Sequence, residues 1–387
     1  MNQPTEILPF DFSVPTKIRY APNRGHTALR EIEAEGIRNI AVLIDAGVRK
    51  HSVLDKFIEQ LDKQIGICTI VSYSGGEPTY ERLEKIRLKF SDVSPEGVFA
   101  IGGGSAMDVG KAMALLLTNP GPAIDYRGFD MAKEPALPII TVPTVAGTGS
   151  EITPNASFVD DQAKRKLGIN GDCVRPKYAI IDPSFSLSCP KEAVLSSAVD
   201  SIVHATEAYV AKKGNSISRL FAREGFILAC NNLEKAQALD QELEPRCNLS
   251  LASLYAAFAM MHSGTGPAAA MSYPMGVRYL VPHGFAGGIF LPFVAKITNE
   301  SGCLIHQDLI AGIAPKDSTY SEFVSALWAR IGIPQNIERM GLVPEEDNAF
   351  VNDVLELASA LEQHPIPFGK KEILTVIHRM RKTESIH

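Results

Sequence analysis

Nothing in this sequence pairs its cysteines. Six occur in 387 residues (Cys68, Cys173, Cys189, Cys230, Cys247 and Cys303), with no C-x-x-C and no regular spacing. That excludes a disulfide scaffold and a cysteine-built metal knuckle, and it fits thiols kept in a reducing compartment. Basic blocks are also missing: 38 Lys and Arg stand against 44 Asp and Glu with no stripe of either sign, so nucleic acid is not an expected partner. No uncharged apolar run reaches about 18 residues, which argues against a membrane span. The opening MNQPTEILPFDFSVPTK lacks the basic-then-apolar layout of a secretion signal, so the cytoplasm is the expected location. Repeats and low-complexity tracts are absent. What remains is 45% hydrophobic and 21% charged, an ordinary globular composition in a chain long enough for about two domains.

The first half alternates short apolar runs with helical patterns. Strands are expected at Ile40–Ile44, Gly66–Tyr73, Gly97–Ile101, Pro138–Val142 and Lys177–Ile181. Between them, Asp45–Asp62 reads as a turn and a helix, and Tyr80–Phe90 and Ser105–Leu117 read as helices. Such alternation predicts a parallel sheet covered on both faces. Beyond about Pro183 the strand signal fades. Helices are expected at Lys191–Lys212, Ser216–Glu234, Cys247–Met261, Phe323–Ile331, Val351–Leu361 and Lys371–Arg381. The expected architecture is α/β: residues 1–185 form a dinucleotide-binding domain with a parallel sheet, and residues 186–387 form a helical domain carrying the reaction centre.

The strongest local signal is Ile101-Gly-Gly-Gly-Ser-Ala-Met-Asp-Val-Gly-Lys111, after an apolar strand and at the opening of a helix. Consecutive glycines let backbone N–H groups approach a phosphate, and the helix N-terminus adds favourable partial charge. Gly102, Gly103, Gly104, Ser105 and Asp108 are therefore cofactor candidates, although the motif is neither G-x-G-x-x-G nor a P-loop. The bland alternative is a tight strand–helix turn. Asp45 ends a strand, where a carboxylate accepts hydrogen bonds from ribose hydroxyls and repels a 2′-phosphate, favouring NAD over NADP. The same residue is equally able to cap the next helix. Pro143-Thr-Val-Ala-Gly-Thr-Gly-Ser-Glu151 is a second loop of small residues, with Thr144 and Thr148 placed to line a cofactor or merely to make turns.

Asp200 and His204 stand four apart in Ala198-Val-Asp-Ser-Ile-Val-His-Ala-Thr-Glu-Ala-Tyr209. On a helix that spacing puts both on one face, suited to two ligands of one cation or to a local hydrogen bond. His283 lies in Val281-Pro-His-Gly-Phe285, expected to be a turn. His262 lies in Met260-Met-His-Ser-Gly264, where a satisfied core histidine is the plainer reading.

Taken together, GGGSAMDVGKA, ITVPTVAGTGSE, the Lys166 to Pro183 stretch, AVDSIVHATEAY, LASLYAAFAMMHSGTGPAAAMSYPMGVRYLVPHGFAGGIFLP and GIPQNIERMGL resemble the iron-containing (group III) alcohol dehydrogenase family over almost the whole chain. The resemblance implies a Rossmann-like domain followed by an all-helical domain, with NAD and a divalent metal, Fe or Zn, in the cleft between. It implies that Gly103, Gly104 and Ser105 contact the pyrophosphate and Asp45 the adenosine ribose, while Thr144, Thr148 and Lys166 lie along the cofactor. Asp200, His204 and His283 match three of the family's four metal ligands. The fourth, a histidine in the family, is here Ala269, and a second histidine near the nicotinamide is here Tyr273.

Those two departures leave the mechanism open. Either the metal is weakly held or lost and Tyr273 serves as proton donor beside His283, or His262 replaces the missing ligand from about 10 Å away by helix rise. Arg278 is a third departure. It is either a surface residue or the anchor for an acidic substrate. The expected activity is hydride transfer between a nicotinamide and a small alcohol or aldehyde, in a homodimer or larger homo-oligomer. The alternatives are a dehydroquinate synthase-like sugar cyclase using NAD transiently and a nucleotide-binding protein without turnover.

Overall fold

The computed structural model describes residues 9–48, 52–163, 165–238 and 242–382. Six strands form one sheet: β1 (Lys17–Tyr20), β2 (Ile40–Asp45), β3 (Ile67–Tyr73), β4 (Val98–Gly102), β5 (Ile139–Pro143) and β6 (Tyr178–Ile181). Their order is β1-β6-β5-β4-β2-β3, and every pairing is parallel. β2, β4, β5 and β6 are almost wholly buried apolar runs, as strands covered on both faces must be. β1 was not foreseen. Its sequence, KIRY, is half-exposed and polar enough to hide the strand, which exists because its register with Tyr178–Ile181 completes the sheet edge.

Helices α1 (Leu29–Ala34), α2 (Ser52–Gln64), α3 (Tyr80–Arg87) and α4 (Gly104–Leu116) connect the strands. The chain runs outward from β2 to β3, then returns to place β4 on the other side of β2. This reversal opens a crevice at the carboxyl ends of β2 and β4. Asp45 and Gly102 end those two strands side by side. Gly102 has φ 147°, and a Cβ on it would lie 2.8 Å from the Asp45 Cβ. Glycine is therefore required there both by backbone angle and by space.

From Lys191 the chain is helical: α5 (Lys191–Val210), α6 (Ser216–Ala238), α7 (Leu243–Ser263), α8 (Pro267–Tyr279), α9 (His283–Glu300), α10 (Gln307–Ile310), α11 (Tyr320–Ile331), α12 (Asp347–Leu355), α13 (Ala358–Gln363) and α14 (Lys370–Arg381). α5 is buried on nearly every side, so it is the axis of this half rather than a surface helix. Around it, Phe226, Phe290, Trp328 and Phe350 are fully buried, each contributing on the order of 2–3 kcal/mol of burial free energy. The structure differs from expectation twice here. α8 and α9 are not among the expected helices; each contains an internal proline, Pro274 and Pro292, that masks its helical pattern. The helix expected over Val351–Leu361 is two helices, α12 and α13, broken at Glu356–Leu357.

Candidate active site

The glycine-rich turn sits at the carboxyl end of β4. Gly103 caps α4 in an extended conformation, and the amides that open the helix lack intrahelical acceptors. A Cβ on Gly104 would lie 2.8 Å from the Thr148 Cγ2, so this turn and the Thr144–Ser150 loop close on each other. Thr144 is buried, with its N–H donating to Gly102 O at 2.9 Å. The Ser105 position opens the helix beside them. Asp108 is engaged by the protein itself. Its Oδ1 accepts from Ser150 Oγ (2.6 Å) and its Oδ2 from Ser157 N (2.9 Å). The wholly buried Lys111 joins Ser150, Asn155 O and Asp108. Asp108 and Lys111 thus tie α4 to the second loop. Asp45 accepts from Gly47 N at 2.8 Å, a local turn that leaves it at the mouth of the crevice.

The second loop meets the helical half directly. A Cβ on Gly147 would lie 1.8 Å from Ser197 O, and one on Gly284 would lie 1.8 Å from Ser196 O. The cofactor-side loop and the start of α9 therefore both rest on the same stretch of α5, one turn before Asp200.

Asp200, His204 and His283 converge there: one ligand atom from each lies within 4.8 Å of the others, the only such group among the described residues. His204 Nε2 is 3.5 Å from Asp200 Oδ1. His283 opens α9 after Pro282 instead of lying in a loop. Burial, helped by Lys166, pulls its pKa down to about 4, so it is neutral and able to donate a lone pair at neutral pH. Ser272 Oγ donates to Ala269 O (2.7 Å) and so accepts from His283 Nδ1–H (3.2 Å), which leaves Nε2 as the free lone pair. Asp200 Oδ2 and His204 Nδ1 are buried without a hydrogen-bond partner. A carboxylate and two imidazoles with unmet capacity at this separation fit a divalent cation such as Zn or Fe.

Tyr273 packs edge-on against His283, with ring centroids 5.6 Å apart. Lys166 Nζ lies 5.2 Å from the Tyr273 ring centre and 2.9 Å from Glu77 Oε2. Burial raises the Tyr273 phenol and Lys166 pulls it back. Ala269 is buried at the start of α8.

Two expected site residues lie elsewhere. Arg278 is in the last turn of α8, where its Nε donates to Asp353 Oδ2 at 2.6 Å. Its charge is met by Asp353 of α12. His262 stacks on Phe12 (4.0 Å) and donates to Ser13 O (3.0 Å). It shares no helix with Ala269, because α7 ends at Ser263 and Gly264 (φ 83°) turns the chain. Three residues were missed: Ser272, Glu77 and Glu207. Glu207 was within reach of the same helical spacing that singled out Asp200 and His204, since it continues their face at i+7.

A family model for the iron-containing alcohol dehydrogenase matches residues 15–183, and one for the C-terminal region of the Fe-containing alcohol dehydrogenase family matches residues 194–381. The 1,3-propanediol dehydrogenase of Citrobacter freundii is 28% identical over 96% of this chain and 98% of its own. The 4-hydroxybutyrate dehydrogenase of Cupriavidus necator is 26% identical over 92% of this chain and 94% of its own. Among solved structures, sulfoacetaldehyde reductase from Bifidobacterium kashiwanohense in complex with NAD+ superposes with a TM-score of 0.87 at 26% identity, covering 97% of this chain and all of the other.

Proposed function

From the premise that the chain belongs to the iron-containing alcohol dehydrogenase family and is an oxidoreductase acting on alcohols, we propose that it interconverts a small primary or secondary alcohol and its aldehyde or ketone with NAD, at a three-ligand cation site. One observation carries this reading. The glycine turn closes on the Thr144–Ser150 loop, and that loop rests through Gly147 on the stretch of α5 one turn before Asp200, so nucleotide and cation positions are joined through one wall. Asp45 at the crevice mouth supports NAD over NADP. We further propose a cytoplasmic location and a homodimer or larger assembly. Among the described residues no helix is long and apolar enough to cross a membrane.

The protein's own groups divide the work. The amides at the start of α4 and the side of Thr148 would cradle a diphosphate. Asp200, His204 and His283 would hold the cation. When bound, the nicotinamide would supply hydride exchange with a carbinol carbon, and a cation on Asp200, His204 and His283 would supply Lewis acidity toward the substrate oxygen. Tyr273 Oη is the proton carrier we assign, in place of a histidine. Lys166, held by Glu77, steadies it over the ring face.

The test is NADH formation, followed by absorbance, against a panel of short alcohols and diols, with NADH oxidation by the matching aldehydes. NADH production supports the reading. Turnover of a sugar phosphate without net NADH would favour a cyclase. NAD binding with no turnover of any alcohol or aldehyde would overturn the reading.

A further inference from the structure

Glu207 is a buried carboxylate that the reaction as described leaves unused. It sits on α5 at i+7 from Asp200 and i+3 from His204. Its Oε2 accepts from Gly266 N (2.7 Å) and its Oε1 from Ala268 N (2.6 Å), and Ala269 N lies 3.3 Å from both oxygens. Those amides open α8. The carboxylate therefore satisfies the orphan donors of that helix and meets the positive end of its dipole.

What this bond joins is informative. α5 supplies Asp200 and His204. α8 supplies Tyr273 and Ser272, and Ser272 fixes the ring of His283. α9 rests directly on α5, whereas α8 packs chiefly along α9 and touches α5 little, so Glu207 is a polar tie that joins α8 to α5. The approach is close: a Cβ on Gly266 would lie 2.9 Å from Glu207 Oε1, and Gly266 has an extended backbone that alanine also adopts.

We propose that Glu207 is a positioning residue. By anchoring the N-terminus of α8 to α5, it sets Ser272 and Tyr273 relative to Asp200 and His204, and through Ser272 it fixes the orientation and tautomer of His283. Its effect on turnover rests on the cation-site reading above. Its effect on His283 does not.

Glu207→Gln replaces one accepting oxygen with an amide donor facing backbone N–H groups. Three readouts are taken. Nitrogen-15 NMR of the histidine rings is expected to show His283 protonated at Nδ1 in the wild type and to lose that single tautomer in the variant. Zn2+ affinity of the chelator-treated protein, by calorimetry, is expected to fall about 10-fold. kcat is expected to fall about 10-fold while NAD affinity holds within two-fold. Gly266→Ala, which only pushes the carboxylate away, is expected to reproduce all three and serves alone where Glu207→Gln is insoluble. An unchanged His283 spectrum and unchanged Zn2+ affinity would overturn the proposal. So would a parallel loss of NAD affinity, which marks general loosening. A wild type without alcohol turnover but with the His283 change would sink the functional reading and leave this one standing.

Discussion

Ala269 and Tyr273 are four residues apart on α8, at the two positions where the family resemblance implies histidines. Tyr273 touches His283 edge-on and lies under Lys166, the geometry of a proton carrier held by a neighbouring cation. Tyr273→Phe keeps the ring and removes only the hydroxyl. It should lower kcat about 100-fold with NAD affinity unchanged, measured by steady-state kinetics and cofactor fluorescence. A kcat within three-fold of wild type would reject Tyr273 as the carrier. Ala269→His offers a fourth nitrogen at the position where the family resemblance expects one, and should tighten Zn2+ about 10-fold by calorimetry. Arg278→Ala should change neither acidic nor neutral substrates, since Asp353 already meets that charge. Its cost is the loss of a half-exposed ion pair, about 0.2–1 kcal/mol. The convergence of Asp200, His204 and His283 was legible in part: helical spacing pairs the first two, while the third was added by the family resemblance. The partner of Arg278 was not legible because it lies 75 residues away, a distance no local pattern spans.

At the scale of elements, the N-terminal end of α5 is the common wall. The Gly147 loop and the start of α9 both approach its carbonyls so closely that any side chain must displace them. Gly147→Ala and Gly284→Ala should each destabilise the protein by about 3 kcal/mol or more and weaken NAD and Zn2+ binding together, read by denaturant unfolding and titration. Loss of one ligand with the other intact would show that the two sites do not share this wall. The elements that the sequence made plain are those with one dominant force: the buried strands β2, β4, β5 and β6, and the helices α2, α4, α5 and α6. β1 was hidden because an edge strand needs no apolar run. α8 and α9 were hidden because proline and glycine, breakers by propensity, are held helical by burial against neighbours. Gly288 is such a case, since a Cβ there would lie 2.4 Å from Val199 Cγ1 and its carbonyl accepts from Trp328 Nε1 at 2.8 Å.

At the scale of the whole molecule, the helical half holds two buried histidines remote from the reaction. His306 and His364 have ring centroids 6.3 Å apart, faced by Tyr320 and Phe368. His364 Nε2–H donates to Thr298 Oγ1 (2.8 Å), whose own proton goes to Val294 O. Burial lowers His306 to about 4 and, with His306 and Lys212 adding repulsion, lowers His364 to about 3. Unfolded, both sit near 6.5. At pH 5 the unfolded chain binds two protons that the folded chain refuses. Their contribution is therefore complete above about pH 6.5 and is lost as pH falls toward 4 and 3. At pH 5 the loss is about 2 kcal/mol per histidine. Glu207 works with the opposite sign. Burial raises its carboxyl to about 7, so its contribution is present at low pH and is lost as pH rises from about 4.5 to 7. His283, also lowered to about 4, adds to the histidine side, so the raw stability curve mixes all of these and is not diagnostic. A variant isolates the histidines: His306→Gln with His364→Gln should be less stable at pH 7.5, because two packed rings are replaced. From pH 7.5 to 5, however, it should lose about 4 kcal/mol less than the wild type, with Glu207 cancelling in the difference. Denaturant unfolding at the two pH values measures this directly. Parallel curves for wild type and variant would mean that the pair is not held neutral in the folded core, and that acid sensitivity arises elsewhere in the fold.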